Sequence, residues 1–241
     1  MALGVLAALL VGFAKTGVVG MGILIVPLMA TAFPGKASIG ALLPMLIFAD
    51  LFAVARYRRH AQWRLLLMLL PWVLPGLAAG YVTLRFIPAE SLPPFLGGMV
   101  LFLITLHWLK SRYGGRFEQR LPRSWWFAAV MGCLAGFATM VGNVAGPVMS
   151  IYLISMGLKK REFMGTGAWY YLIVNWIKVP FNVSLGLITA RSLAFNVRMA
   201  PAIAIGALLG ILIFKRIPQA WFFRVILLLA AAAATRLLLA G

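Results

Sequence analysis

Long apolar runs alternate along the chain with short clusters of charged and turn residues. The apolar stretches cover 2–33, 38–55, 65–84, 91–109, 124–156, 163–185, 192–214 and 217–239. Runs this long, with so little polar alternation, have no face to turn to water. They predict helices that cross a bilayer, whose core takes about 20 helical residues. A spanning helix satisfies its own backbone groups in lipid, so the expected fold class is all-α and polytopic. Six stretches match one crossing each. The other two, 2–33 and 124–156, are too long for one span, and both break in the middle. The first breaks at Lys15-Thr16-Gly17 and the second at Met140-Val141-Gly142-Asn143. Each arm then holds only about 13–16 residues, or roughly 20–24 Å of helix.

Two topologies follow. Each broken stretch is a re-entrant hairpin with its tip near the midplane, or it is a pair of short crossing helices. The alternative to hairpins, with each of the eight stretches counted as one crossing, is eight full spans in two parallel four-helix repeats. Short cytoplasmic loops are enriched in Lys and Arg. In the hairpin reading, the cations around 56–64, 110–123, 159–161 and 215–216 gather on one side, fourteen in all. Lys36, Arg85, Arg191 and Arg236 face the other side. That asymmetry favours hairpins, with both termini outside.

The chain also repeats itself. Gly12-Phe13-Ala14 recurs as Gly136-Phe137-Ala138, and Val26-Pro27-Leu28-Met29 resembles Gly146-Pro147-Val148-Met149. Gly40 and Asp50 correspond to Gly165 and Asn175; Gly76, Gly80 and Ile87-Pro88 correspond to Gly206, Gly210 and Ile217-Pro218. The order is the same in both halves. The expected organisation is a first membrane repeat over 1–109, a basic cytoplasmic linker over 110–123 and a second membrane repeat over 124–241. A hairpin plus three spans makes each half cross an odd number of times, so the halves are inverted. Inverted repeats with interrupted helices are a transporter architecture.

Composition sharpens this picture. The hydrophobic fraction is 63% and only 11% of residues are charged, which excludes an ordinary soluble domain. Lys and Arg number 22 against 4 Asp and Glu, a net +18. In a soluble chain that excess would suggest nucleic acid; here it fits membrane loops, and no nucleic-acid partner is expected. The single cysteine, Cys133, excludes an intramolecular disulfide. There is no HExxH zinc motif and no GxxxxGK[ST] phosphate loop. No metal, no cofactor and no catalytic residue is expected.

The informative residues are the polar ones inside apolar runs, where a charge is costly and marks function by default. Lys15 lies at the first break, followed by Thr16, Gly17, Gly20 and Gly22. A helix starting there would aim free N–H groups at the tip, an arrangement that favours an anion. The alternative is a snorkelling lysine beside glycines that pack helices. Asn143 occupies the matching tip, with Thr139 before it, and offers an oxyanion its NH2 group. Asp50 is the one acid inside an apolar segment. It suits proton coupling or a counter-ion role, paired with Arg56 or a neighbouring lysine. Asn175 and Lys178 share a helix face and present a donor pair; Lys178 alternatively neutralises Asp50. Tyr171 carries a hydroxyl within the aromatic run Trp169-Tyr170-Tyr171, which together with Trp176 is a candidate pathway lining.

The segments Gly17-Val-Val-Gly-Met-Gly22, Val26-Pro-Leu28 and Ala41-Leu-Leu-Pro-Met-Leu-Ile-Phe-Ala-Asp50 resemble the first repeat of the TauE/SafE sulfite exporter family. The second half resembles that family more closely. It carries Gly146-Pro-Val-Met-Ser-Ile-Tyr-Leu153, Lys160-Arg-Glu-Phe-Met-Gly-Thr-Gly-Ala-Trp-Tyr-Tyr171 and Asn175-Trp-Ile-Lys-Val-Pro180. The resemblance covers nearly the whole chain. It implies a secondary transporter in the bacterial inner membrane, with membrane lipid as its surroundings. The implied substrate is a small sulfur-containing oxyanion such as sulfite or a sulfonate. An anion channel is the alternative; proton coupling and a homodimer stay open at this stage.

Overall fold

The computed structural model describes residues 2–17, 35–88 and 125–213. It also describes positions 25–26, 28–29, 33, 90–91, 94–95, 97–98, 101–102, 105, 232 and 235. The linker 110–123 and the stretch 217–231 lie outside the described residues, as does most of 91–109.

Every described element is helical. They are α1 (Ala2–Thr16), α2 (Ala37–Tyr57), a 3₁₀ turn (Arg58–His60), α3 (Trp63–Phe86), α4 (Trp125–Gly142), α5 (Gly146–Ser155), α6 (Lys160–Ser184) and α7 (Ala190–Ile213). Helices long and apolar enough to cross a membrane cover Ala37–His60, Trp63–Phe86, Trp125–Gly142 and Ala190–Leu212. The chain is therefore a multi-pass membrane protein. The outer faces of the long helices are apolar: Leu67, Phe86, Val197 and Leu212 are all exposed, as lipid-facing positions require. α6 is long enough at 25 residues but carries Asn175, Lys178 and Asn182, all fully or almost fully buried. Its polar residues face protein, so it need not be apolar throughout.

Both expected breaks are present. α1 ends at Thr16 and α4 at Gly142. Asn143 follows α4 in the left-handed region at φ 57°, which stops the helix and redirects the chain into α5. Pro147 sits in the first turn of α5, where its missing N–H costs nothing.

Corresponding segments make corresponding contacts. A Cβ on Gly12 would meet the Ile203 carbonyl oxygen at 2.0 Å, and one on Gly136 would meet that of Val73 at 2.3 Å. A Cβ on Gly76 and one on Gly206 would each lie 2.1 Å from a carbonyl oxygen, of Cys133 and of Leu9 respectively. Thus α1 packs closely on α7, and α4 on α3, each pair joining a helix N-terminal to the linker with one C-terminal to it. Small residues let the backbones approach, the usual way for helices to associate in lipid.

Between these pairs, α2 and α6 run antiparallel. Gly40 lies against Leu187 at one end, Asp50 meets Asn175 in the middle, and Tyr57 and His60 lie against Gly165 at the other end. Gly40 and Asp50 are the counterparts of Gly165 and Asn175, so corresponding helices point in opposite directions. The parallel four-helix alternative is corrected by this packing. The reason is one of direction: counterpart helices of parallel repeats would run the same way, and α2 and α6 run opposite ways.

The same packing sorts the loop charge. Arg58, Arg59, Lys159 and Arg161 gather where Gln62 Nε2 donates to Glu162 Oε1 at 3.0 Å. Lys36 and Arg191 lie at the opposite end, near Leu187.

Candidate functional site

The ends of α1 and α4 arrive at the middle of the antiparallel α2–α6 pair. Lys15 is in the last turn of α1, where a cation is favoured by the negative end of the helix dipole. Its Nζ lies 2.8 Å from Asp50 Oδ1, and Asp50 is fully buried. The second carboxylate oxygen accepts a hydrogen bond from Asn175 Nδ2 at 2.7 Å. Asp50 thus pairs with Lys15 rather than with Arg56, which is exposed and lies over the Tyr57 ring, 5.4 Å from its centroid.

Lys178 is fully buried and, among the described residues, has no carboxylate within ion-pair distance. Its Nζ donates to Thr139 Oγ1 at 3.1 Å, to Asn143 Oδ1, and to Asn175 Oδ1 at 3.4 Å. Three N–H donors meet three neutral oxygens, the full complement of an ammonium. Asn175 connects the two lysines, because its amide binds Asp50 through nitrogen and Lys178 through oxygen. One turn further along α6, Asn182 Nδ2 donates to the Lys178 carbonyl at 3.0 Å.

A cavity of about 60 Å³ opens beside this network. Its polar lining comes from Lys15, Asp50, Thr139, Asn143, Tyr171 and Asn175, while Gly146, at the start of α5, and Gly167 leave it room. A water needs roughly 10–15 Å³ on this scale, so the space suits a few waters or one small polyatomic ion. The Lys15 ammonium sits 4.1 Å from the centroid of the Tyr171 ring, a cation–π contact that fixes it at the cavity wall. Two polar groups of the lining, Asn143 Nδ2 and the Tyr171 hydroxyl, are buried without a hydrogen-bond partner. Buried polar groups are normally paired, so each such group calls for an explanation.

The other candidate residues lie elsewhere. Thr16 turns away from the cavity. Its hydroxyl donates to the Ala207 carbonyl at 2.7 Å and approaches that of Gly12 at 3.2 Å, while its own carbonyl accepts from the Tyr57 hydroxyl at 2.9 Å. Thr16 therefore fastens α1 to α7 and α2. Gly17 packs against Gly210, where an added Cβ would meet the Gly210 Cα at 2.9 Å. Gly20 and Gly22 lie outside the described residues. Trp176 is exposed, so of the aromatic run only Tyr171 lines the cavity. Thr139 is the polar residue that sequence reasoning named only in passing. Its correspondence to Lys15 in the repeat was the available signal.

The chain matches the family described as sulfite exporter TauE/SafE over residues 4–237. It belongs to the TauE/SafE sulfite exporter family. Membership covers nearly the whole chain and places the buried cations and the cavity in a membrane transporter. No curated protein and no solved structure matches the chain. Among the described residues, no group of His, Cys, Asp and Glu is placed to hold a metal ion.

Proposed function

We propose that this TauE/SafE protein is a secondary transporter for a small sulfur-containing oxyanion, sulfite or a sulfonate, which binds in the cavity between Lys15 and Asn143. The supporting observation is the donor set. Lys15, Asn143 Nδ2 and the Tyr171 hydroxyl surround a space of about 60 Å³ in which two donors lack an acceptor. An oxyanion supplies several acceptor oxygens from one centre, and charge-assisted bonds to lysine are the stronger kind. Gly146 adds the positive end of α5 to the same space. Lys178, behind Asn143 and Asn175, contributes charge at longer range. The position of the site, at the meeting of two oppositely directed helix sets, suits alternating access. Asp50 serves as the counter-ion that holds Lys15 when the anion is absent, and as the group able to take a proton.

The fourteen-to-four loop charge supports an orientation with both termini periplasmic in the bacterial inner membrane. Flux of radiolabelled sulfite into sealed proteoliposomes, with and without a pH gradient, tests the transport reading. Saturable uptake that responds to the gradient is expected. Non-saturating flux at channel rates, indifferent to the gradient, would reject it.

A further inference from the structure

The charges around the cavity do not sum to zero. The 2.8 Å Lys15–Asp50 pair and the three hydrogen bonds that Lys178 Nζ donates fit the ionised forms, with one negative charge on Asp50 and one positive charge on each lysine. The ion pair of Lys15 and Asp50 closes at 2.8 Å, which leaves Lys178 as the surplus. Its three contacts are all to neutral oxygens, and it is fully buried. Among the described residues, no further charge compensates it from the packed neighbours. α1 presents Lys15 alone, and α7 carries only the exposed Arg191 and Arg198. α4 and α5 have no charged residue, and among the described residues Tyr171 of α6 is the one other titratable side chain lining the cavity beside Lys15 and Asp50. A lone buried charge is strongly unfavourable, and it persists where something else is meant to complete the site.

We infer that the occupied cavity takes up one net negative charge: a singly charged sulfonate enters alone, and a doubly charged anion such as sulfite enters with one proton. This rests on the proposed anion site and specifies its charge rule. With a sulfonate bound, two cations face two anions and the site is neutral. With a doubly charged anion, one negative charge remains, and neutrality requires a proton on Asp50 or on the anion itself. Asp50 is suited to this because the anion competes with it for Lys15. Once Lys15 turns to the ligand, the carboxylate keeps only the Asn175 amide. Protonation then removes the charge left without a partner. The anion's valence, rather than its shape, therefore sets whether a proton travels with it.

The test uses the purified full-length protein in detergent micelles. The solution is weakly buffered, contains a pH-indicator dye, and is alkaline enough that free sulfite is doubly charged. Calorimetry counts bound anion while the dye counts protons taken up. Methanesulfonate should bind with no proton uptake, and sulfite should bind with one proton per anion. Asp50→Asn, which keeps a partner for Asn175, leaves two cations and no acid; it should bind sulfite without taking up a proton. Equal proton uptake for the two anions in the native protein overturns the charge rule while leaving the anion site in place. If neither anion binds, the anion site falls, and the charge rule falls with it.

Discussion

Asp50 holds the site together because, among the described residues, it is the one carboxylate paired with an intramembrane lysine, Lys15, at 2.8 Å. Replacing it with alanine leaves Lys15 at the cavity wall with only the Tyr171 ring. Breaking a buried pair from one side costs about 3–5 kcal/mol, so Asp50→Ala should lower the unfolding temperature in detergent markedly. Replacing both partners with apolar residues, Lys15→Met with Asp50→Leu, should restore most of that stability without restoring anion binding. Tyr171→Phe separates the roles differently. The hydroxyl has no partner to lose, so stability should change by less than about 0.5 kcal/mol. Sulfite affinity should fall about tenfold, as for one hydrogen bond to a charged group, and titration calorimetry reads both anion affinity and stoichiometry. Lys15, Asp50, Asn175 and Lys178 were legible in the sequence because a polar group in an apolar run must find a partner or a purpose. Their pairing was not legible. Arg56 is near Asp50 in sequence, but it is exposed in the last turn of the same helix, whereas Lys15 arrives from another element. Thr16 shows the opposite limit. A threonine beside a helix break reads the same whether its hydroxyl faces a ligand or a carbonyl.

At the scale of elements, the contacts that position the site are backbone contacts between small residues. The Gly76 and Gly206 positions are counterparts, and each would drive a Cβ to 2.1 Å from a carbonyl oxygen. Gly76→Val and Gly206→Val should therefore each destabilise the fold by at least about 1–3 kcal/mol, with similar losses of unfolding temperature. Gly167→Ala is the contrast, because its Cβ would meet only Leu153 and Tyr171 side chains at 3.7 and 3.9 Å. It should fold normally and lose anion capacity, because it fills the cavity. The helix breaks at Thr16 and Gly142 were legible from the length of the apolar stretches and the Gly-Asn pair. The exchange of partners, α1 with α7 and α4 with α3, was not. Repeated glycines state that a close approach occurs, but not which backbone approaches.

At the scale of the whole molecule, the inverted relation of α2 and α6 brings counterpart residues face to face, Asp50 against Asn175. The two halves then differ in what surrounds that contact. One contributes Lys15 with the carboxylate, and the other Lys178 with neutral oxygens. The sequence offered the matched residues of two halves, and the structure adds that the helices carrying Gly40–Asp50 and Gly165–Asn175 run antiparallel. The positive surplus at the centre needed the structure, because it depends on which charges meet. The central claim is that this surplus exists to hold an anion. The most direct measurement is uptake of radiolabelled sulfite into proteoliposomes by the native protein and by Lys178→Met, which removes the charge while filling the same space. The Lys178→Met protein should fold, shown by a cooperative unfolding transition at a temperature lowered by the loss of three hydrogen bonds, and lose most of its saturable uptake. A folded Lys178→Met protein that transports sulfite at the native rate would contradict the account.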